Sequence, residues 1–272
     1  MPFMETADKV TMHYEDEGSG FPLVFVHGWA MSGKVWAFQK PLADHFRLIT
    51  LDLRGHGKSS AAPGYAFSDF AADLAALFDR LGLERAALVG WSLGAQVALE
   101  AVPLLGDRVV ALVLVAGTPK FTTADGWPHG LPSHEARGLG LRLKRAYDAT
   151  LGDFFRQMFA EGELSHDQYQ RIVREIVIPR PLPDPGAVQA CLVTLAGGDH
   201  RNLLPAIAAP TLVIHGDRDA ICSPGAGRYL AEGIPGARFL SVEGTGHAPF
   251  LSHPERFNQE LSRFLAEVIG RD

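Results

Sequence analysis

Residues able to cleave an acyl bond stand at three separated points of the chain. Ser92 lies between glycines 90 and 94 in "LVGWSLGAQVALE" (88–100), Asp217 and Asp219 in "VIHGDRDAICSP", and His247 in "VEGTGHAPFLSHP". A serine hydroxyl attacks poorly near neutral pH unless a base takes its proton. A histidine does this when a carboxylate holds its tautomer and stabilises the imidazolium. Glycines on both sides of Ser92 leave room for a tight strand-to-helix turn, with the helix N-terminus favouring negative charge beside the hydroxyl.

Context selects among 11 histidines. His247 occupies a glycine-rich loop after the apolar run "RFLSV", where ligands bind at the C-terminal edge of a parallel sheet. His253 precedes Pro254 and reads as the start of the last helix. His215 falls within a buried strand pattern and reads as a core histidine. His129, His134 and His166 fall in a separate helical interval. Of the two aspartates, Asp219 is the expected acid because two more residues carry it clear of the strand; Asp217 reads as a turn-former. His215, Asp217 and Asp219 also alternate as metal ligands can, but no further ligand cluster accompanies them, and no metal or organic cofactor is expected. The order Ser92, Asp219, His247 is Ser–acid–His. An oxyanion needs two donors, and the expected ones are the backbone N–H groups of Leu93 and of Trp29 in "FVHGWAMSG".

These residues need a scaffold. Apolar runs at 22–28, 46–52, 86–90, 109–117, 211–217 and 238–242 are rich in Val, Leu and Ile without alternation, as in strands covered on both faces. Helix-period segments separate them, clearest at 67–82, where Ser68 or Asp69 could cap the start and Gly82 the end. The expected fold is α/β, a mostly parallel doubly wound sheet. One interval is too long for a single crossover. Residues 118–186 read as an inserted helical cap, from "EARGLGLRLKRAYDATLGDFFRQMFAEG" through "SHDQYQRIVREIVI" to the four prolines of "IPRPLPDPG" (178–186). The core is then 1–117 with 187–272.

Composition narrows the function classes. The 272 residues are 47% hydrophobic and 21% charged, with a net charge of −6, which offers no global attraction to nucleic acid or to an anionic membrane. The two cysteines, Cys191 and Cys222, lack Cys-x-x-Cys spacing. The opening residues are too polar for a signal peptide, and no run of 18 apolar residues occurs. A reduced, cytoplasmic protein, monomeric and acting on a small-molecule ester, is the expectation.

From "VFVHGW" through "LDLRGHGKSS" and "GWSLGA" to "GTGHAPFLSHPERF", the chain resembles the α/β-hydrolases. More narrowly it resembles the pimeloyl-[acyl-carrier protein] methyl ester carboxylesterases of biotin synthesis, by Trp29 after His-Gly, the "GWSLG" elbow, "TPKFTTADGWPHGL" and "HAPFLSHPERF". That resemblance implies a Ser92–Asp219–His247 triad, with Trp29, Leu93 and His247 at the ester and Phe154, Phe155 and Met158 lining an acyl channel. It also implies docking of an acidic acyl-carrier protein, for which "RGLGLRLKR" offers Arg137, Arg142, Lys144 and Arg145, extended by Arg156. Enol-lactonases, carbon–carbon bond hydrolases and cofactor-free perhydrolases could use the same triad, and a non-catalytic binding protein could keep the fold.

Overall fold

The computed structural model describes residues 3–177 and 183–270. Eight strands form one sheet: β1 (Phe3–Glu5), β2 (Thr11–Glu17), β3 (Phe21–Val26), β4 (Phe46–Leu51), β5 (Ala86–Trp91), β6 (Val109–Val115), β7 (Thr211–Gly216) and β8 (Arg238–Val242). Their order is β1-β2-β4-β3-β5-β6-β7-β8. β1 and β2 are antiparallel additions at one edge, whereas β4, β3, β5, β6, β7 and β8 run parallel.

The six parallel strands are the six apolar runs. All six residues of β5 and of β7 are buried, because adjacent side chains point to opposite faces and both faces are covered. Val24 and Val26 join one core, which α1 (Phe67–Leu81) and α2 (Leu93–Leu105) close. Leu23 and Phe25 join the other, against the 3₁₀ stretch Gly33–Asp44 and the C-terminal helix. α1 ends on Gly82 in the left-handed conformation, at φ 61°. Its start differs from expectation. Ala66 is the cap residue, and Asp69 serves from inside the first turn by accepting the Ala66 N–H at 2.8 Å.

Between β6 and β7 lie α3 (Ser133–Arg145), α4 (Tyr147–Gln157), α5 (His166–Ile172), a π turn at Val173–Val177, and α6 (Pro185–Gly197). The expected boundary at 186 falls on the second residue of α6. Since α6 packs on α3, the helical segment runs on to Gly197. The first five residues of the proline-rich stretch 178–186 lie outside the described residues. After β7 come α7 (Pro224–Gly233), α8 (Pro249–Ser252) and α9 (Pro254–Ile269), with His253 directly before α9.

"LDLRGHGKSS" is scaffold. Asp52 accepts the N–H groups of Gly33 and Lys58 and pairs with His13 at 2.9 Å. Arg54, 2% exposed, meets Asp73 through two hydrogen bonds of 2.7 Å. Two buried charges so matched satisfy each other's polar groups where water cannot. Among the described residues no helix is long and apolar enough to cross a membrane.

Candidate active site

Ser92 stands where β5 turns into α2, with φ 56° and ψ −113°, a conformation that strains an L-residue. The glycines make that turn possible. A Cβ on Gly90 would lie 2.3 Å from the carbonyl oxygen of Gly94, and one on Gly94 would lie 2.3 Å from that of Val26. β3, β5 and α2 therefore meet at backbone contact. The Ser92 N–H donates to the Val115 carbonyl at 3.0 Å, which ties the turn to β6. Its side chain is only half-buried and so within reach of a substrate.

Leu93 is the first residue of α2, where N–H groups have no carbonyl one turn back. Its side chain is wholly buried in the core, so any contact with an oxyanion belongs to its backbone. Trp29 follows β3 in the neighbouring loop. Its Nε1 donates to the Val188 carbonyl of α6 at 2.9 Å, and its ring meets Phe154 of α4 edge-on at 4.8 Å. The indole is a strut between sheet and insertion. Ala30, at φ 58°, holds the loop in a second strained turn.

Asp219 lies just past β7 and is buried. Its Oδ1 accepts the N–H groups of Ile221 at 2.8 Å and Cys222 at 2.9 Å. Its Oδ2 accepts from His247 Nδ1 at 2.7 Å and lies 3.2 Å from His215 Nε2. Burial alone would raise the carboxyl pKa. The charge of His247 and the hydrogen bonds from His215 and His247 prevail and hold it well below the usual carboxylate range.

With Nδ1 committed to Asp219, His247 presents Nε2 as its free nitrogen, and this atom is buried without a partner among the described residues. Trp91, next to Ser92, packs on that imidazole at 5.5 Å and donates from Nε1 to the His247 carbonyl at 2.8 Å. Ser92, Asp219 and His247 thus follow the C-terminal ends of three parallel strands, β5, β7 and β8, at one rim of the sheet.

The other candidates separate. Asp217 accepts the Gly244 N–H at 2.7 Å and staples two turns together, as a turn-former does. His253 contacts Ser252 Oγ, and His134 and His166 are exposed. His215 is fully buried in β7, as a core histidine is, yet it also serves the acid. Its Nε2 lies 2.9 Å from the Cys222 carbonyl. A carbonyl only accepts, so Nε2 carries a proton and His215 faces Asp219 as a donor. Sequence reading missed that contact, whose one trace is the i, i+4 spacing of His215 and Asp219 across the strand end. Cys191 and Cys222 are buried, which pushes the Cys191 thiol up to about 12 and raises that of Cys222 as well; neither offers a thiolate nucleophile.

A cleft of about 520 Å³ opens between α3, α4 and the loop after Asp219, where Phe121, Leu139, Phe154 and Ile221 supply apolar walls. Arg142 and Arg156 stand in the same lining with Glu135 and Asp153, and Arg156 is paired to Asp153. Of the three expected channel residues only Phe154 lines this cleft. Phe155 is turned into packing against Phe159 and Tyr169, and Met158 is completely buried. The basic residues of α3 divide likewise. Arg137 and Lys144 border a different groove beside α6, with Leu141 and Val193, while Arg145 is exposed. Trp127 of the "GWP" segment is 1% exposed and packs between His129 and Tyr229, pinning the start of the insertion to α7.

A family model for the alpha/beta hydrolase fold matches residues 22–254. A pimeloyl-[acyl-carrier protein] methyl ester esterase of Xanthomonas axonopodis pv. citri is 36% identical over 261 residues, covering 94% of this chain and 100% of that protein. Among solved structures, an esterase from Exiguobacterium antarcticum superposes with a TM-score of 0.89 at 29% identity, covering 96% of this chain and 98% of its own. A bromoperoxidase from Bacillus anthracis superposes with a TM-score of 0.87, also at 29% identity, covering 95% and 96% respectively.

Proposed function

The chain belongs to the α/β-hydrolase family and is a hydrolase of carboxylic ester bonds, and from that premise we propose that it cleaves the methyl ester of a pimeloyl chain carried on an acyl-carrier protein, using Ser92, His247 and Asp219. The observation that supports the catalytic part is the buried Asp219–His247 pair at 2.7 Å, whose imidazole packs at 5.5 Å on Trp91, the residue before the strained Ser92. The curated relatives support the substrate, since they bear that activity in their names over nearly the whole chain.

In this mechanism His247 Nε2 takes the Ser92 proton as Oγ attacks the ester carbonyl. The backbone N–H groups of Leu93 and Trp29 hold the oxyanion. Asp219, ionised and fixed by four donors, keeps the His247 proton on Nδ1 and offsets the imidazolium charge. His247 then protonates the departing methoxide, and water activated by the same nitrogen releases the free acid. No metal or organic cofactor takes part in these steps. Residues 118–197 act as the cap, with Phe154 between the ester and the acyl cleft, and the protein works in the cytoplasm as a monomer.

The acyl cleft, with Arg142 and Arg156 in its lining, leads the substrate toward the basic end of α3, where Arg145 adds an exposed charge. Arg137 and Lys144 extend this field along the next groove. An acidic carrier is steered by such charge. Reversing Arg142 and Arg145 to Glu together is expected to raise KM for the carrier-bound methyl ester by roughly tenfold, with hydrolysis of a short p-nitrophenyl ester unchanged. Equal effects on both substrates would reject the docking face. The substrate itself is tested by steady-state kinetics on pimeloyl-carrier methyl ester beside short p-nitrophenyl esters. The proposal requires a strong preference in kcat/KM for the former. Enol-lactones, and peroxide with a carboxylic acid, complete the panel, and a preference for either would replace this reading.

A further inference from the structure

The loop that carries His247 is held by the insertion as well as by the sheet. Two successive backbone N–H groups leave it toward the segment joining α4 to α5. His247 N–H donates to the Met158 carbonyl at 2.7 Å, and Gly246 N–H donates to Glu163 Oε2 at 2.8 Å. The same Oε2 accepts the Ala160 N–H at 2.6 Å, and Glu163 N–H returns to the Ala160 carbonyl at 3.1 Å. One carboxylate oxygen therefore joins a turn of the insertion to the residue before His247. The fit is close, since a Cβ on Gly246 would lie 2.5 Å from the Met158 carbonyl oxygen. From the opposite side, Trp91 Nε1 holds the His247 carbonyl. The imidazole is thus aimed by three bonds at its own peptide groups and Gly246, one from the elbow strand and two from the insertion.

We propose that Glu163 is a positioning residue for the catalytic base: it clamps the 244–248 loop so that His247 Nε2 stays directed at the nucleophile, and the insertion contributes to turnover as well as to substrate binding. Glu163 does not touch the ester in this account. It acts through the Gly246 peptide, and what it must supply there is an acceptor oxygen. The inference rests on the reading of His247 as the base.

Glu163→Ala and Glu163→Gln separate the clamp from a purely structural role. With a short p-nitrophenyl ester, Glu163→Ala is expected to lower kcat by about 10–100-fold, the scale of an ångström-level misplacement, while KM changes by less than about threefold. Glu163→Gln, whose amide oxygen can accept both N–H groups, should restore kcat to within a few-fold of the parent. Melting temperatures are measured alongside. Wild-type kcat in the alanine variant overturns the proposal, as does an equal loss of kcat in both variants, or a loss of melting temperature with kcat intact. If Glu163→Ala does not fold, Glu163→Asp, which withdraws the carboxylate by one methylene, is read in the same way. Fluorophosphonate labelling distinguishes this failure from failure of the underlying reading. A wild-type protein that resists the reagent at Ser92 ends the triad. A wild-type protein that is labelled, with the alanine variant labelled at the same rate, ends the clamp alone.

Discussion

Ser92→Ala is expected to lower kcat by about 10⁴–10⁶ and to leave the melting temperature within about 3 °C of the parent. The two halves of this expectation have separate causes. In the proposed mechanism the Ser92 hydroxyl oxygen forms the acyl bond, and the thiols of Cys191 and Cys222 do not replace it, because they are buried and kept protonated. The strain at φ 56° is a property of any Cβ-bearing residue at this turn, so alanine inherits the strain of serine and the fold loses little. KM should hardly move, since the cleft walls are untouched. The residual rate then reports the oxyanion donors alone. Steady-state kinetics and a thermal melt on the same preparation check both halves, and a variant that keeps more than a hundredth of kcat contradicts the role of Ser92.

Asp219→Asn is expected to cost about 10⁴ in kcat and to change how the protein responds to acid. Asparagine can still accept from Ile221 and Cys222 through its oxygen. Its amide then turns donors toward His247 Nδ1 and His215 Nε2, both of which also donate in the parent. His247 must move its proton to Nε2, the nitrogen that should receive one from Ser92, and catalysis fails without loss of the fold. The stability effect follows from linkage. In the folded protein Asp219 titrates below its unfolded value of about 3.9, so between those two values the unfolded chain binds more protons. The contribution of Asp219 is therefore complete above about pH 4 and is lost as pH falls through the depressed folded value. The parent should lose melting temperature on acidification through that window more steeply than Asp219→Asn, which is the less stable of the two at neutral pH because the charge-assisted hydrogen bonds to the carboxylate are gone. Parallel acid profiles would show that the carboxylate is not held as described.

The parts of the molecule legible in the sequence are those whose signal is local. β3, β5, β6 and β7 are almost wholly buried and read as apolar runs, whereas β8, at the end of the sheet, buries only Val242, and the Ser92 turn announces itself by glycines that leave no space for a side chain. β1 and β2 escaped because β1 has only three residues, "TMHYEDE" leaves its charged end largely exposed, and its partner β4 lies some thirty residues further along. The break between α3 and α4 at Ala146 carries no glycine or proline; packing of α3 against both α4 and α6 makes it. On α4, Phe154 and Phe155 have the same character in sequence. One residue turns a helix by about 100°, which is enough to send one ring to the cleft and the other into the core. The second imidazole on Asp219 leaves only an i, i+4 spacing in the sequence, and the carboxylate of Glu163 reaches Gly246 across a long-range loop contact with no pattern to betray it. The site is therefore legible as a set of reacting groups and illegible as the network that aims them.

The central claim is that Ser92 is made nucleophilic by His247. Its most direct measurement is the rate and position of covalent modification by a fluorophosphonate, located by mass spectrometry of the peptide containing "GWSLG". The account predicts stoichiometric labelling of Ser92 in the parent protein, with loss of esterase activity in step, and labelling slowed by orders of magnitude in His247→Ala at a temperature where that variant remains folded. An unlabelled Ser92, or one labelled equally fast without the imidazole, would contradict it.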